Sequence, residues 1–132
     1  KVNEMAKENP NIIMTGFVNG NLLEELFSNA YMYVLPSEIE GLPISLLEAM
    51  SYGHCCLVSD IEQNIEVIQS YGYSFESKNS DDLYEKLKEI LDDENKILDV
   101  RSKVKEYVNN KYNWDKVSED TEKAYKALKV NN

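Results

Sequence analysis

The chain has 132 residues, enough for one domain that buries about two-thirds of the surface its unfolded form would expose. Its 14 basic residues face 24 acidic ones for a net charge of −10, which argues against nucleic acid or an anionic lipid surface as the partner of this piece. No apolar run approaches a membrane span and no basic-then-apolar leader opens the chain. The only cysteines, Cys55 and Cys56, are neighbours that a strand would point to opposite faces, so they make no disulfide framework and a reducing compartment fits.

Lys1 to Asn9 is polar and helix-friendly but has no capping residue, as though a helix had been entered partway along. Ile12, Ile13 and Met14 then predict a strand, and Thr15 to Gly20 the loop after it. On the residues alone, Phe17 and Val18 read as packing under the next helix. Leu22 to Ala30 carries Leu22, Leu23, Leu26 and Phe27 at the one-sided spacing of an amphipathic helix. Tyr31 to Leu35, stopped by Pro36, reads as a buried parallel strand.

The next stretch, Ser37 to Ser51, organises the rest. Glu40 and Gly41 fall in the loop at the strand's carboxyl end, and Pro43 suits a first helical turn, where its missing N–H costs nothing. Ile44, Leu46, Leu47 and Met50 continue as the apolar part of a helix that starts near Leu42. Gly41 allows a close backbone approach, and the first-turn amides beyond Pro43 are unsatisfied, so the loop can hold an anion such as a pyrophosphate. Glu48 shares a helix face with Ser45. Two readings of it stay open: a buried carboxylate satisfied by the adjacent hydroxyls of a ribose, or an exposed acid of an amphipathic helix.

Gly53 ends that helix and His54 to Ser59 predicts the next strand. His54, the only histidine, has no Cys, Asp or Glu at metal-ligand spacing, which speaks against a metal or nucleophilic role. Tyr73 to Glu76 predicts a last short strand. Helices follow over Asp81 to Leu91, Lys96 to Asn109 and Trp114 to Lys129, the last with Asn113 as its cap. The order β-α-β-α-β-α-β-α-α-α predicts an α/β fold with a parallel sheet, in which ligands bind at the carboxyl ends of the strands, where Val18, Glu40 and Asp60 are expected. A signalling domain of the flavodoxin-like phosphoacceptor kind would want an acidic cluster after its first strand, where this chain has Asn11 to Thr15.

Glu40-Gly-Leu-Pro-Ile-Ser-Leu-Leu-Glu48-Ala-Met-Ser-Tyr-Gly53 resembles the E-x7-E signature and following E-A-M-x-x-G of the retaining GT-B glycosyltransferases of family 4, group 1. Asn11 to Val18 resembles the family's N-V-x-F-x-G-x-V, Pro36-Ser37 its P-S, and Asp60 to Ile68 its D-x-G-G-x-x-E-V-I, so the likeness runs over about residues 11 to 128. Glu62 and Gln63 depart from it, standing where glycines are usual. Glu66 matches the family glutamate but reads as well as a first-turn helix acid, and Trp114 resembles a W-D near the end of these enzymes but reads as well as a packing anchor.

The resemblance implies a Rossmann-like domain, the C-terminal donor-binding half of a GT-B fold, truncated at its N-terminus and closed by helices over about 81–130. It implies a hexosyltransferase-type enzyme that moves a sugar from a nucleoside diphosphate, UDP- or GDP-linked, to an acceptor in polysaccharide or glycoconjugate biosynthesis, with no metal or cofactor. Glu48 would bind the ribose diol, Glu40 the hydroxyls of the donor sugar as the catalytic residue, the backbone around Gly41, Leu42, Pro43 and Ile44 the phosphates, and Val18 the base. A cationic G-R-x-x-x-x-K loop and an acceptor-binding N-terminal domain would lie ahead of this chain. The piece is therefore expected to be inactive alone, with the acceptor sugar or lipid-linked glycan, and any membrane contact at the cytoplasmic face, reached through that other half. A non-catalytic nucleotide-binding or subunit-interaction module of the same fold is the alternative.

Overall fold

The computed structural model describes residues 2–129, which run α1 (Val2–Lys7), α2 (Gly20–Asn29), β1 (Tyr33–Leu35), α3 (Ile44–Ser51), β2 (Cys56–Ser59), α4 (Glu62–Ile68), β3 (Tyr73–Phe75), α5 (Ser80–Leu91), α6 (Glu94–Lys111) and α7 (Trp114–Lys129). The strands form a parallel sheet in the order β1-β2-β3. Tyr33 pairs with Cys56 and Leu35 with Val58, then Leu57 with Tyr73 and Ser59 with Phe75. Parallel neighbours require crossovers, and α3 and α4 supply them. This is the α/β, Rossmann-like architecture that the element order implies, with helices flanking the sheet.

The central strand β2 is buried at every position, as a strand covered on both faces must be. Against it pack Leu46, Ala49 and Met50 of α3, and Val67 and Ile68 of α4. Helix α6 presents Ile97, Val100, Val104 and Val108 at intervals of three and four, one stripe of the helix surface, and lies on α3 and α5. The Tyr107 hydroxyl of α6 donates to the Val67 carbonyl at 2.8 Å, and the Tyr71 ring stacks on the Tyr107 ring with centroids 4.1 Å apart. Asn79 caps α5 by accepting from Asp81 and Asp82 N–H, and Asn113 caps α7 by accepting from Lys116 N–H at 2.7 Å.

Two expectations change. Ile12, Ile13 and Met14 form no strand: the segment is irregular, and Ile13 is 80% exposed and Phe17 91%. A strand exists only through ladder partners, and none of the described strands lies beside this segment. The second change is at α3, which begins at Ile44 rather than near Leu42. Pro43 is its N-cap, fully buried, with its carbonyl accepting from Leu46 and Leu47 N–H at 3.1 and 3.2 Å. Proline is tolerated there for the reason that suits it to a first turn: neither position needs its N–H.

Candidate functional site

Strand β1 ends at Leu35, and residues 36–43 carry the chain without regular structure to the start of α3. At its far end α3 is closed by Gly53, whose φ of +85° only glycine adopts cheaply. Gly53 N–H donates to Met50 O and His54 N–H to Ala49 O, the paired bonds of a Schellman ending. Helix α3 is thus anchored through Leu46, Ala49 and Met50 on one side and by its cap at the end. Its N-terminus is held at the carboxyl edge of the sheet.

The two glutamates of the organising stretch stand on either side of that N-terminus. Glu40 is half-buried in the loop, and Glu48 is exposed on the helix. Neither carboxylate has a hydrogen-bond or ion-pair partner among the described residues. Both act on one group: the Tyr33 hydroxyl, which donates to Ser45 Oγ at 3.0 Å. Burial pushes the Tyr33 phenol up, the Ser45 bond opposes this, and the charges of Cys56, Glu40 and Glu48 add to the rise.

The backbone between them is open. The N–H groups of Leu42, Ile44 and Ser45 find no acceptor among the described residues, because Pro43 O takes the next two amides. Gly41 has no positive φ, and a Cβ added to it would meet nothing within 4 Å, so no atom of the chain requires glycine there. A groove of about 420 Å³ opens beside α3, lined by Leu42, Ile44, Leu47, Glu48 and Ser51 on one wall and by Val108, Asn109, Tyr112 and Val117 on the other.

Of the residues expected at the site, Glu48, Leu42 and Ile44 meet in this groove, with Gly41, Pro43 and Glu40 just ahead of it. Val18 is half-buried in the irregular segment before α2 and does not line the groove, so no strand end presents it as expected. Asp60 does follow β2, where its Oδ1 accepts from Ser77 N–H at 2.8 Å. Sequence spacing missed the second wall. Tyr112 and Val117 lie more than sixty positions from Glu48, and only the run of α6 back across α3 brings them near.

The remaining reactive side chains are structural. His54 is 1% exposed, and its Nε2–H donates to the Phe27 carbonyl, tying α2 to the start of β2. Cys55 and Cys56 are buried and free; burial pushes the Cys55 thiol up to about 11, against the pull of Arg101, and the Cys56 thiol further up. Among the described residues no three His, Cys, Asp or Glu side chains cluster as metal ligands, and no helix is long and apolar enough to cross a membrane.

The fold is thus a parallel α/β sheet with a turn of open amides and two unpartnered carboxylates at its carboxyl edge. Residues 3–114 match the sequence profile of the glycosyl transferases group 1, and the chain belongs to that family. It is 32% identical over 117 residues to an uncharacterized glycosyltransferase of Methanocaldococcus jannaschii, covering 87% of this chain and 30% of that protein. It is 37% identical over 98 residues to the N,N'-diacetylbacillosaminyl-diphospho-undecaprenol alpha-1,3-N-acetylgalactosaminyltransferase of Campylobacter jejuni, covering 66% of this chain and 26% of that protein. Among solved structures, the sucrose-phosphate synthase of Thermosynechococcus elongatus superposes with a TM-score of 0.86 at 18% identity, over 99% of this chain and 34% of that one, a likeness of fold. The chain spans less than a third of the length of these curated relatives.

Proposed function

We propose that this chain is the donor-binding, C-terminal half of a retaining GT-B glycosyltransferase of family 4, and that its organising loop and α3 hold a nucleoside-diphosphate sugar. The observation that carries the reading is the pair of unpartnered carboxylates, Glu40 and Glu48, flanking the open amides of Leu42, Ile44 and Ser45. A diphosphate fits those amides, since N–H groups and the positive end of a helix both favour an anion. The ribose then lies toward Glu48, whose two oxygens accept from a vicinal diol, and the apolar walls of the groove suit the flat, amphipathic remainder of a nucleoside. Glu40, half-buried on the loop, faces the sugar. Its negative charge is placed to stabilise the positive charge that spreads over the ring as the glycosidic bond breaks.

The Campylobacter relative's name specifies a lipid-diphosphate acceptor, and a related Escherichia coli protein is named as a UDP-Gal-dependent galactosyltransferase acting on a diphosphoundecaprenol substrate. A UDP-linked hexose donor and a lipid-linked glycan acceptor at the cytoplasmic membrane face are the corresponding proposals here. The acceptor would be held by sequence outside this chain. Thermal shift of the full-length protein with UDP and GDP tests the donor half. Stabilisation should grow with the logarithm of the matching nucleotide's concentration, and Glu48→Ala should need about tenfold more for the same shift. No shift with either nucleotide at millimolar concentration would contradict the reading.

A further inference from the structure

Glu48 rides on a packed helix, whereas Glu40 sits in the irregular stretch between β1 and α3, so the spacing of the two carboxylates depends on how that loop is fixed. Its far end is secured by the buried Pro43. Its near end is secured by a short polar chain reaching across from β2 and α4. The Ser59 hydroxyl donates to the Ser37 carbonyl, and Asn64 Nδ2 donates to Ser59 Oγ at 3.0 Å and to Ser59 O at 3.2 Å. Ser59 is 1% exposed and Asn64 0%.

The directions of these bonds follow from chemistry. Ser37 O and Ser59 O can only accept, so the serine proton points to Ser37 and the amide turns its NH2 toward Ser59. Both amide hydrogens are then used on one residue, and Asn64 Oδ1 is left buried without a partner among the described residues. The other link at the loop's root, Lys78 Nζ to Glu38 Oε2 at 3.3 Å, is exposed on both sides and weak by comparison.

We infer that Ser59 and Asn64 are positioning residues: through the Ser37 carbonyl they set where the loop holds Glu40 against the donor sugar. The inference rests on the reading of Glu40 given above. Neither residue touches the donor. Removing either should loosen one end of the loop, leaving α3 and its Glu48 in place.

The test uses the full-length protein with Ser59→Ala, Asn64→Ala, Ser59→Thr and Glu40→Ala. Two readouts are taken: cleavage of the folded protein by a glutamate-specific protease, and release of nucleoside diphosphate from UDP-galactose, UDP-N-acetylgalactosamine, UDP-N-acetylglucosamine and GDP-mannose. In Ser59→Ala and Asn64→Ala cleavage after Glu38 should be on the order of tenfold faster, while cleavage after Glu106 in α6 is unchanged. The kcat should fall about ten- to a hundredfold with the donor KM little changed, as expected when a reacting group is misplaced. Ser59→Thr, which keeps the hydroxyl, should restore both. Unchanged cleavage after Glu38, faster cleavage spread equally to Glu106, or unchanged kcat beside a loosened loop would each overturn the inference. The Glu40→Ala arm separates the two levels. A kinetic defect there beside normal Ser59→Ala and Asn64→Ala kinetics defeats the positioning role alone, whereas wild-type release by Glu40→Ala, or no release by the wild type from any of these donors, defeats the reading of Glu40 on which it stands.

Discussion

Cys56–Ser59 and Ile12 to Met14 are both short and mainly apolar, yet β2 is buried at every position while Ile12, Ile13 and Met14 are all exposed. The difference lies in their neighbours. β2 has a strand on each edge and is covered by α3 and α4, whereas the earlier segment has no ladder partner among the described residues. Apolar composition supplies a reason to be buried, but only a partner edge supplies the backbone hydrogen bonds that a strand needs.

The largest test of that contrast is Leu57→Ala. It should cost about 2–5 kcal/mol in urea unfolding, since Leu57 is fully buried in the central strand and its cavity cannot collapse far. A smaller effect comes from pH. The folded state holds the Cys55 thiol up to about 11, against 9.0 for the free group, so the unfolded chain loses this proton first. The stability it contributes is complete below about pH 9 and is lost as pH rises toward about 11, on the order of 2 kcal/mol. Cys55→Ala should flatten part of a melting-temperature profile taken in alkaline buffer; Cys56 is pushed the same way and adds to the remaining slope.

Next in size is Asn113→Ala, which removes the acceptor for Lys116 N–H. It should cost about 1 kcal/mol and shorten α7, visible as lost ellipticity at 222 nm. Smallest is Ile13→Ala, which should change stability by less than about 0.5 kcal/mol because the side chain is already in water. A loss at Ile13 comparable to that at Leu57 would break the comparison.

Much of the fold was legible because its signals are local. Pro36 and Gly53 punctuate elements, the apolar spacing of α3, α5 and α6 marks helices, and Asn113 is a cap that the structure uses. Helix α3 starts two residues beyond its expected position because a proline satisfies an N-cap and a first turn equally well. Ile12 to Met14 has the composition of a strand but forms none, because pairing is not written in the segment that pairs. At the site, the positions of Glu40 and Glu48 follow from the loop-to-helix pattern. Tyr33, Ser45, Tyr112 and the Ser59–Asn64 chain do not, because each meets the site through contacts set by tertiary packing.

Steady-state kinetics of Glu40→Ala and Glu48→Ala in the full-length protein test the central proposal most directly. Glu48 is assigned to the ribose, a part of the donor unchanged by reaction, so its loss should raise the donor KM with kcat near wild type. Glu40 is assigned to the reacting sugar, so its loss should lower kcat. Each should reduce kcat/KM about ten- to a hundredfold, the equivalent of about 1.5–3 kcal/mol for a charge-assisted hydrogen-bond pair. Wild-type kinetics in both variants would contradict the assignment of these two carboxylates to the donor.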